Sequence, residues 1–397
     1  MNNTPTSFDV VVVGGGPTGV AAAIALAQTG ASTALIARCL PYADNRTTAL
    51  LGATIDFLER LEVWPNCRNE AAPLQTMRLV DDTGRLIRAP EVKFSSAEIG
   101  LDQFGYNIQN RVLMAALEQR AAKLPNLTRF DDEATVIEPE ESTAAIRTAG
   151  GASLSAQLVV GADGRQSPSR KAAGITVSRR DLGQAALTFN VSHSRPHRNI
   201  STEFHTPSGP CVFVPLPGER CSVVWVSTPD QAARLLAMKD DELSETAEAQ
   251  SHSILGRLRI ESGRHLFPLT IETSAPFARH RIALVGEAAH VLPPIGAQGL
   301  NMGLRDAADI ADIANEARAT GEDPGAPHVL RRYHQARRAD VASRSFAIDL
   351  ANRSLLTDFL PMQLVRAASL HLIGVVGPLR RLAMREGLGP SWRSHAR

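Results

Sequence analysis

At 397 residues the chain is too long for one small core, and two interleaved domains are the ordinary expectation. The balance of 42 basic against 41 acidic residues leaves a net charge of +1, which provides no field to recruit nucleic acid. Cys39, Cys67, Cys211 and Cys221 show neither a C-x-x-C metal or redox spacing nor a disulfide framework. They read as reduced thiols, with no metal site. The N-terminus has no basic signal region, and Val10 to Val13 is too short to cross a bilayer, so a cytoplasmic protein is expected.

The chain opens "FDVVVVGGGPTGVAAAIALAQTGASTALIAR", which reads as strand, glycine turn, helix, glycine stop at Gly30 and second strand. An apolar-periodic helix is expected from Thr47 to Leu61, then a hairpin in "LQTMRLVDDTGRLIRAP" closed by Asp82-Thr83-Gly84. A helix over 111–122, strands over 128–137 and paired strands about Gly150-Gly151 lead into "AQLVVGADGRQSPSR". From Leu182 to Val226 the pattern is mostly strand, followed by one polar helix from Pro229 to Leu258. The opening strand-turn-helix grammar returns at Ile282 to Val285, ahead of long helices near 298–319 and 328–351.

Three turns carry chemistry. Gly14, Gly16 and Gly19 make a G-x-G-x-x-G between strand and helix, with Pro17 and Thr18 inside it. The first glycine permits the turn, the second lets a pyrophosphate reach the backbone, and the third allows close helix–strand packing. The acidic residue expected about 20 positions on is replaced by Ala37 and Arg38, so the phosphate site rests on backbone amides at a helix start. The second turn is Asp163-Gly164 in "GADGRQSPSR", where Ser167 and Arg170 are placed to bond the local backbone and to orient a cation beside phosphates. In the third, Gly286 and Glu287 end a strand, and Pro294, Gly296, Gly299, Leu300 and Asn301 lead into a helix. Glu287 suits a sugar-alcohol chain, and the amides at 299–301 suit a partial negative charge such as that of a reduced flavin.

Together these motifs, spread from Val10 to Asp306, resemble the flavoprotein aromatic hydroxylases of the para-hydroxybenzoate hydroxylase type. The resemblance implies FAD bound by Gly14, Gly16 and Gly19, by Asp163 and Gly164, and by Gly286 and Glu287. Arg46 is similar to the family's arginine near the flavin, and Gln109 to a polar flavin neighbour. Glu287 stands where the family usually has Asp; the added methylene keeps charge and acceptor count. The implied fold is α/β, a discontinuous Rossmann-like FAD-binding domain (1–75, 100–180 and 270–350) with an interleaved antiparallel-sheet substrate domain (76–99 and 181–269) and a C-terminal helical tail (351–397).

The implied chemistry is hydride transfer from NADH or NADPH to FAD, then delivery of one atom of O2 to an activated aromatic ring. Within the family, "GEAAHVLPPIGAQGLNMGLRDAADIADI" and the tail "PLRRLAMREGLG" look most like the ubiquinone-biosynthesis hydroxylases, the UbiH/UbiF group, whose other pathway proteins would be partners. A polyprenylated phenol is the expected substrate. The alternatives are a small soluble phenol or benzoate, or a non-catalytic FAD-binding subunit of a biosynthetic complex. From Arg353 onward there are seven arginines against Asp358 and Glu386, with Val365, Ala368, Leu372 and Val376 at helical spacing. Such a segment suits either peripheral contact with the inner face of an anionic membrane or docking on the body of the protein. No catalytic base is assigned among His193, His205 and His290, and substrate residues are expected from 182–226 and from Pro293 to Gly296.

Overall fold

The computed structural model describes residues 5–39, 45–84, 88–356 and 376–388. Its first strand, Thr6–Val13, buries Val10, Val11 and Val12 completely because it lies between two parallel neighbours, Thr33–Ile36 and Ser153–Gly161. Leu127–Phe130 extends the sheet on one side and Ile282–Leu284 on the other, again in parallel. The register aligns Val13 with Gly161, and Gly161 with Leu284. Three strands therefore end side by side, and the three glycine turns leave the sheet along one edge.

Helix Pro17–Gln28 packs against Asn110–Ala121 and against Gln298–Ala319. The last contact is close: a Cβ on Gly303 would sit 2.5 Å from Thr18 Oγ1. The long helix Pro327–Leu356 is tied to the strand edge by Tyr333, whose buried hydroxyl donates to the Leu284 carbonyl at 2.7 Å.

The second large sheet is built around Thr176–His193, which pairs antiparallel with Arg220–Ser227 and His265–Ala275. Gly209–Leu216 and Ile200–Thr206 continue it, and Ile200–Thr206 joins Thr76–Asp81 in a parallel pair, a departure from the wholly antiparallel sheet expected. Alternation sorts its two faces. Leu187, Phe189, Val191, Cys221, Val223 and Trp225 pack with Leu235 and Leu243 from the helices below, whereas Thr188, Asn190, Ser222 and Val224 face the first sheet's side.

Three local expectations are corrected. The segment Thr47–Leu51 is a strand, and the helix covers only Gly52–Arg60, because Thr47 and Thr48 pair across to Gln109 and Ile108. β-Branched threonines favour that pairing over a helical turn. The hairpin's return strand is Val92–Ser95, beyond Pro90. The Asp81 side chain instead takes Thr83 and the Ala89 amide, lengthening the connection. The polar helix is two helices, Pro229–Ala237 and Asp240–Gln250, broken where Met238 and Lys239 turn extended, and Leu258–Ile260 is a strand. The tail residues Phe359, Leu360, Val365, Ala368 and Leu372 lie outside the described residues.

Candidate FAD and substrate site

The first turn shows the demand for glycine at two positions. Gly14 has φ +114°, and a Cβ there would lie 2.2 Å from the Ala162 carbonyl oxygen; a Cβ on Gly19 would lie 2.0 Å from that of Gly14. Gly16 differs: a Cβ there meets nothing within 4 Å, and the residue lines an open cavity. It is the N-cap of Pro17–Gln28, with no side-chain cap on the helix amides. A bare helix start facing open space fits a diphosphate.

The second turn is organised by Asp163, which accepts from the Ser167 hydroxyl and from the Ser169 amide, the latter at 2.8 Å. Ser167 in turn caps the short helix Pro168–Ala172. The carboxylate thus shapes its own loop, and Gly164 is the member of the pair that lines the cavity. Arg170 bonds the local backbone, as its place in the turn suggested. It is buried and donates to the carbonyls of Ala288, at 2.9 Å, and Arg165, at 2.5 Å, bracing the second turn against the third.

In the third turn Gly286 has φ +60° and donates its amide to Asp306 Oδ2 at 2.9 Å. Glu287 is exposed at the cavity lining, its Oε2 3.7 Å from Arg165 Nε. Gly296 and Ala297 are both left-handed, with φ +64° and +54°, and turn the chain into the helix Gln298–Ala319. Asn301 is fully buried. Its Oδ1 accepts from the Leu51 amide at 2.9 Å, and its Nδ2 donates to the carbonyls of Ala49 at 2.8 Å and Ala297 at 2.6 Å. It clamps the helix start to the strand Thr47–Leu51.

These elements enclose one cavity of about 440 Å³. Gly16, Pro17, Thr18, Gly19, Arg46, Gly164, Gly286, Glu287, Pro294, Gly299 and Leu300 line it. Among the described residues, Gly14, Asp163 and Asn301 stand behind the lining as its supports, and Gly296 lies in the loop beside it. Ala37 is buried at the end of its strand, and Arg38 is exposed, 2.7 Å from Glu133 Oε2. Gln109 is buried and accepts from Arg111 Nε at 2.9 Å, leaving its neighbour Asn110 to line the cavity. Asn110 accepts from Thr48 Oγ1 at 2.6 Å.

Sequence reading missed Asn45, Thr48, Asn110, His265 and Phe267, which lack a motif. It placed Thr188, Asn190, Ser222 and Val224 only as part of a sheet; the alternation along 186–190 and 222–226 is the signal that marks them as one face.

His290 also lines the cavity and lies 2.7 Å from Asp306 Oδ2, with both side chains buried. Burial pushes the Asp306 carboxyl up, but His290, Arg337 and the Gly286 amide outweigh it and hold it below the usual carboxylate range. Arg337, at zero exposure, meets Asp306 Oδ1 at 2.5 Å, Asp340 at 2.8 Å and Asp309 at 3.0 Å. His193 and His205 are not among the lining residues. Burial, then the neighbouring His197, lowers the His193 pKa, and its Nε2 lies 3.5 Å from the Cys221 thiol. His205 pairs with Glu203 at 2.9 Å.

The residues present therefore fit FAD: an open approach over Gly16, uncapped helix amides, and backbone turns held rigid from behind. A family model described as "FAD binding domain" matches residues 7–345. The chain is 34% identical over 395 residues to ubiquinone hydroxylase UbiL of Rhodospirillum rubrum, covering 96% of this chain and 89% of that one. It is 30% identical over 407 residues to the 3-demethoxyubiquinol 3-hydroxylase of Escherichia coli, covering 98% and 100%. Its fold matches p-nitrophenol 4-monooxygenase PnpA from Pseudomonas putida with a TM-score of 0.80 at 22% identity, over 97% of this chain and 99% of the other. With the same three turns converging on one cavity, the chain belongs to the FAD binding domain family of para-hydroxybenzoate hydroxylase-type flavoproteins.

Proposed function

We propose that this chain is an FAD-dependent monooxygenase that hydroxylates the aromatic ring of a polyprenylated phenol in ubiquinone biosynthesis, with NADH or NADPH as reductant and O2 as co-substrate. The observation that carries this reading is the shared cavity. Backbone from three cofactor turns and side chains from the second sheet, Thr188, Asn190, Ser222, Val224, His265 and Phe267, line the same space. The relatives named ubiquinone hydroxylase UbiL and 3-demethoxyubiquinol 3-hydroxylase match nearly end to end, which supports the substrate class.

Bound FAD supplies the redox and oxygen chemistry. The chain's own residues bind, orient and exclude water. In this reading Gly16, Pro17, Thr18 and Gly19 cradle the diphosphate with Gly14 setting the turn behind them, Gly164 and Glu287 border its sugar chain, and Pro294, Gly299 and Leu300 border the ring. Val224, Phe267 and Leu292 give the substrate an apolar wall. Such a wall would keep water from the bound flavin and so limit side reactions.

Peripheral contact with a membrane belongs to the same proposal. Among the described residues no helix is long and apolar enough to cross a bilayer. The helix Gly377–Leu388 leaves Val376, Leu379 and Leu382 exposed beside Arg381 and Arg385. Apolar side chains next to arginines suit an anionic surface.

Deletion of the gene followed by mass spectrometry of accumulated quinone precursors tests the assignment. Accumulation of a prenylated phenol lacking one ring hydroxyl is expected. A normal quinone profile, with purified protein that oxidises a soluble phenol in step with NAD(P)H, would transfer the assignment to a catabolic hydroxylase. Flavin that NAD(P)H fails to bleach with any phenol under air would indicate a non-catalytic subunit.

A further inference from the structure

We propose that Asn190 and Ser222 together recognise the hydroxyl group of the substrate, Asn190 Oδ1 accepting its hydrogen and the Ser222 hydroxyl donating to its oxygen. This rests on the reading of the chain as a phenol hydroxylase. The two residues stand directly opposite each other on neighbouring antiparallel strands, and both line the cavity. At 3% and 4% exposure they have little access to bulk water.

Their remaining hydrogen-bonding capacity is complementary. Asn190 Nδ2 donates to the Asn45 carbonyl at 3.0 Å; because a carbonyl only accepts, the amide's orientation is settled. Its Oδ1 then has no donor among the described residues. Asn107, 1% exposed, donates through Nδ2 to the Pro215 carbonyl at 2.9 Å and to Ser222 Oγ at 3.2 Å. An amide N–H cannot accept, so the Ser222 hydrogen also lacks a partner among the described residues.

One free acceptor beside one free donor is the complement of a neutral phenol, which has one hydrogen to give and lone pairs to offer. A carboxylate has no hydrogen for Asn190 and would face its oxygen, so a benzoate is disfavoured at this position. Leaving either buried group unpaired is costly, which turns the pair into a filter and not merely a contact. Val224 and Phe267, lining the same cavity, give the attached ring an apolar bed.

The test measures binding to the purified FAD holoenzyme by perturbation of the flavin spectrum, using 2-geranylphenol and geranylbenzene in one detergent. Ser222→Ala is expected to weaken 2-geranylphenol about tenfold and to leave geranylbenzene within about twofold, the loss of one buried hydrogen bond. Ser222→Thr, which keeps the hydroxyl, is expected to restore phenol binding. Equal effects on both probes, or none on the phenol, overturn the proposal. Should the alanine variant lose its flavin, wild-type enzyme decides alone: 2-geranylanisole, which has no hydrogen for Asn190, is expected to bind about tenfold more weakly than the phenol. Equal affinity overturns the pairing. If intact holoenzyme binds none of the three probes, the phenol hydroxylase reading itself fails, a result distinct from tight binding that is indifferent to Ser222.

Discussion

The Asp306 carboxylate joins the cavity to the buried frame behind it: its Oδ2 sits 2.7 Å from His290 Nε2, while the same oxygen receives the Gly286 amide at 2.9 Å. The other oxygen faces Arg337, which also holds Asp309 and Asp340. One carboxylate thus sets both the third turn and the only histidine found in the lining besides His265 among the described residues.

Asp306→Asn should destabilise the protein by about 3 kcal/mol, since removing one partner strands a buried charge while Asp309 and Asp340 retain part of its compensation. The depressed Asp306 pKa adds a pH signature. A carboxyl held below its unfolded value stabilises fully above that value, and the contribution fades as pH falls through the folded one. Wild type should therefore lose stability below about pH 4 more steeply than the variant. Urea titrations at several pH values check this, and parallel curves would remove Asp306 from the account.

Gly16 and Gly14 should fail differently. A Cβ at Gly16 meets no protein atom within 4 Å, so Gly16→Val should fold with near-normal stability yet purify colourless. Gly14→Ala forces a Cβ to 2.2 Å from the Ala162 carbonyl at φ +114° and should cost about 2–4 kcal/mol of stability. Flavin absorbance read beside the thermal midpoint separates the two. Full flavin occupancy in Gly16→Val would misplace the diphosphate.

Asn301→Asp keeps the shape but turns an N–H donor into an acceptor facing the carbonyls of Ala49 and Ala297. A loss of about 2–4 kcal/mol is expected from the unsatisfied buried groups, with faster flavin release as the helix start loosens. Stopped-flow dilution of the flavoprotein measures that rate. An unchanged rate would mean that the clamp is irrelevant to the site.

Arg380 fastens the helix Gly377–Leu388 to the edge of the second sheet. It reaches Glu98 at 2.5 Å and 2.8 Å, bonds the Lys93 carbonyl, and lies 4.9 Å over the Phe94 ring. The hydrogen bond from Arg380 is the largest cause holding the Glu98 pKa below its ordinary value. Arg380→Ala should cost about 1 kcal/mol or less of global stability, because the pair is only partly covered at the protein surface. Tryptic cleavage at Arg381 or Arg385 should nevertheless accelerate, because local opening decides it. Limited proteolysis followed by mass spectrometry reports the site, and equal cleavage rates would refute the fastening.

Much of this protein was legible from its residues. The apolar run Val10 to Val13, the spacing of Gly14, Gly16 and Gly19, and the return of the same grammar at Ile282 are local patterns, and local patterns follow from backbone sterics and periodicity. What tertiary structure decided is adjacency. The alignment of Val13 with Gly161 and of Gly161 with Leu284 brings the three turns to one edge. Likewise the register that sets Asn190 against Ser222 and the packing that buries Asn107 behind them arise from pairings across dozens of residues. Thr47 reads as helix because its partner Gln109 is distant in the chain, and the bond from Arg170 to Ala288 is invisible in the sequence because Ala288 is more distant still. Hydrogen bonds between remote segments form only when the whole sheet has closed, so no window of sequence contains them.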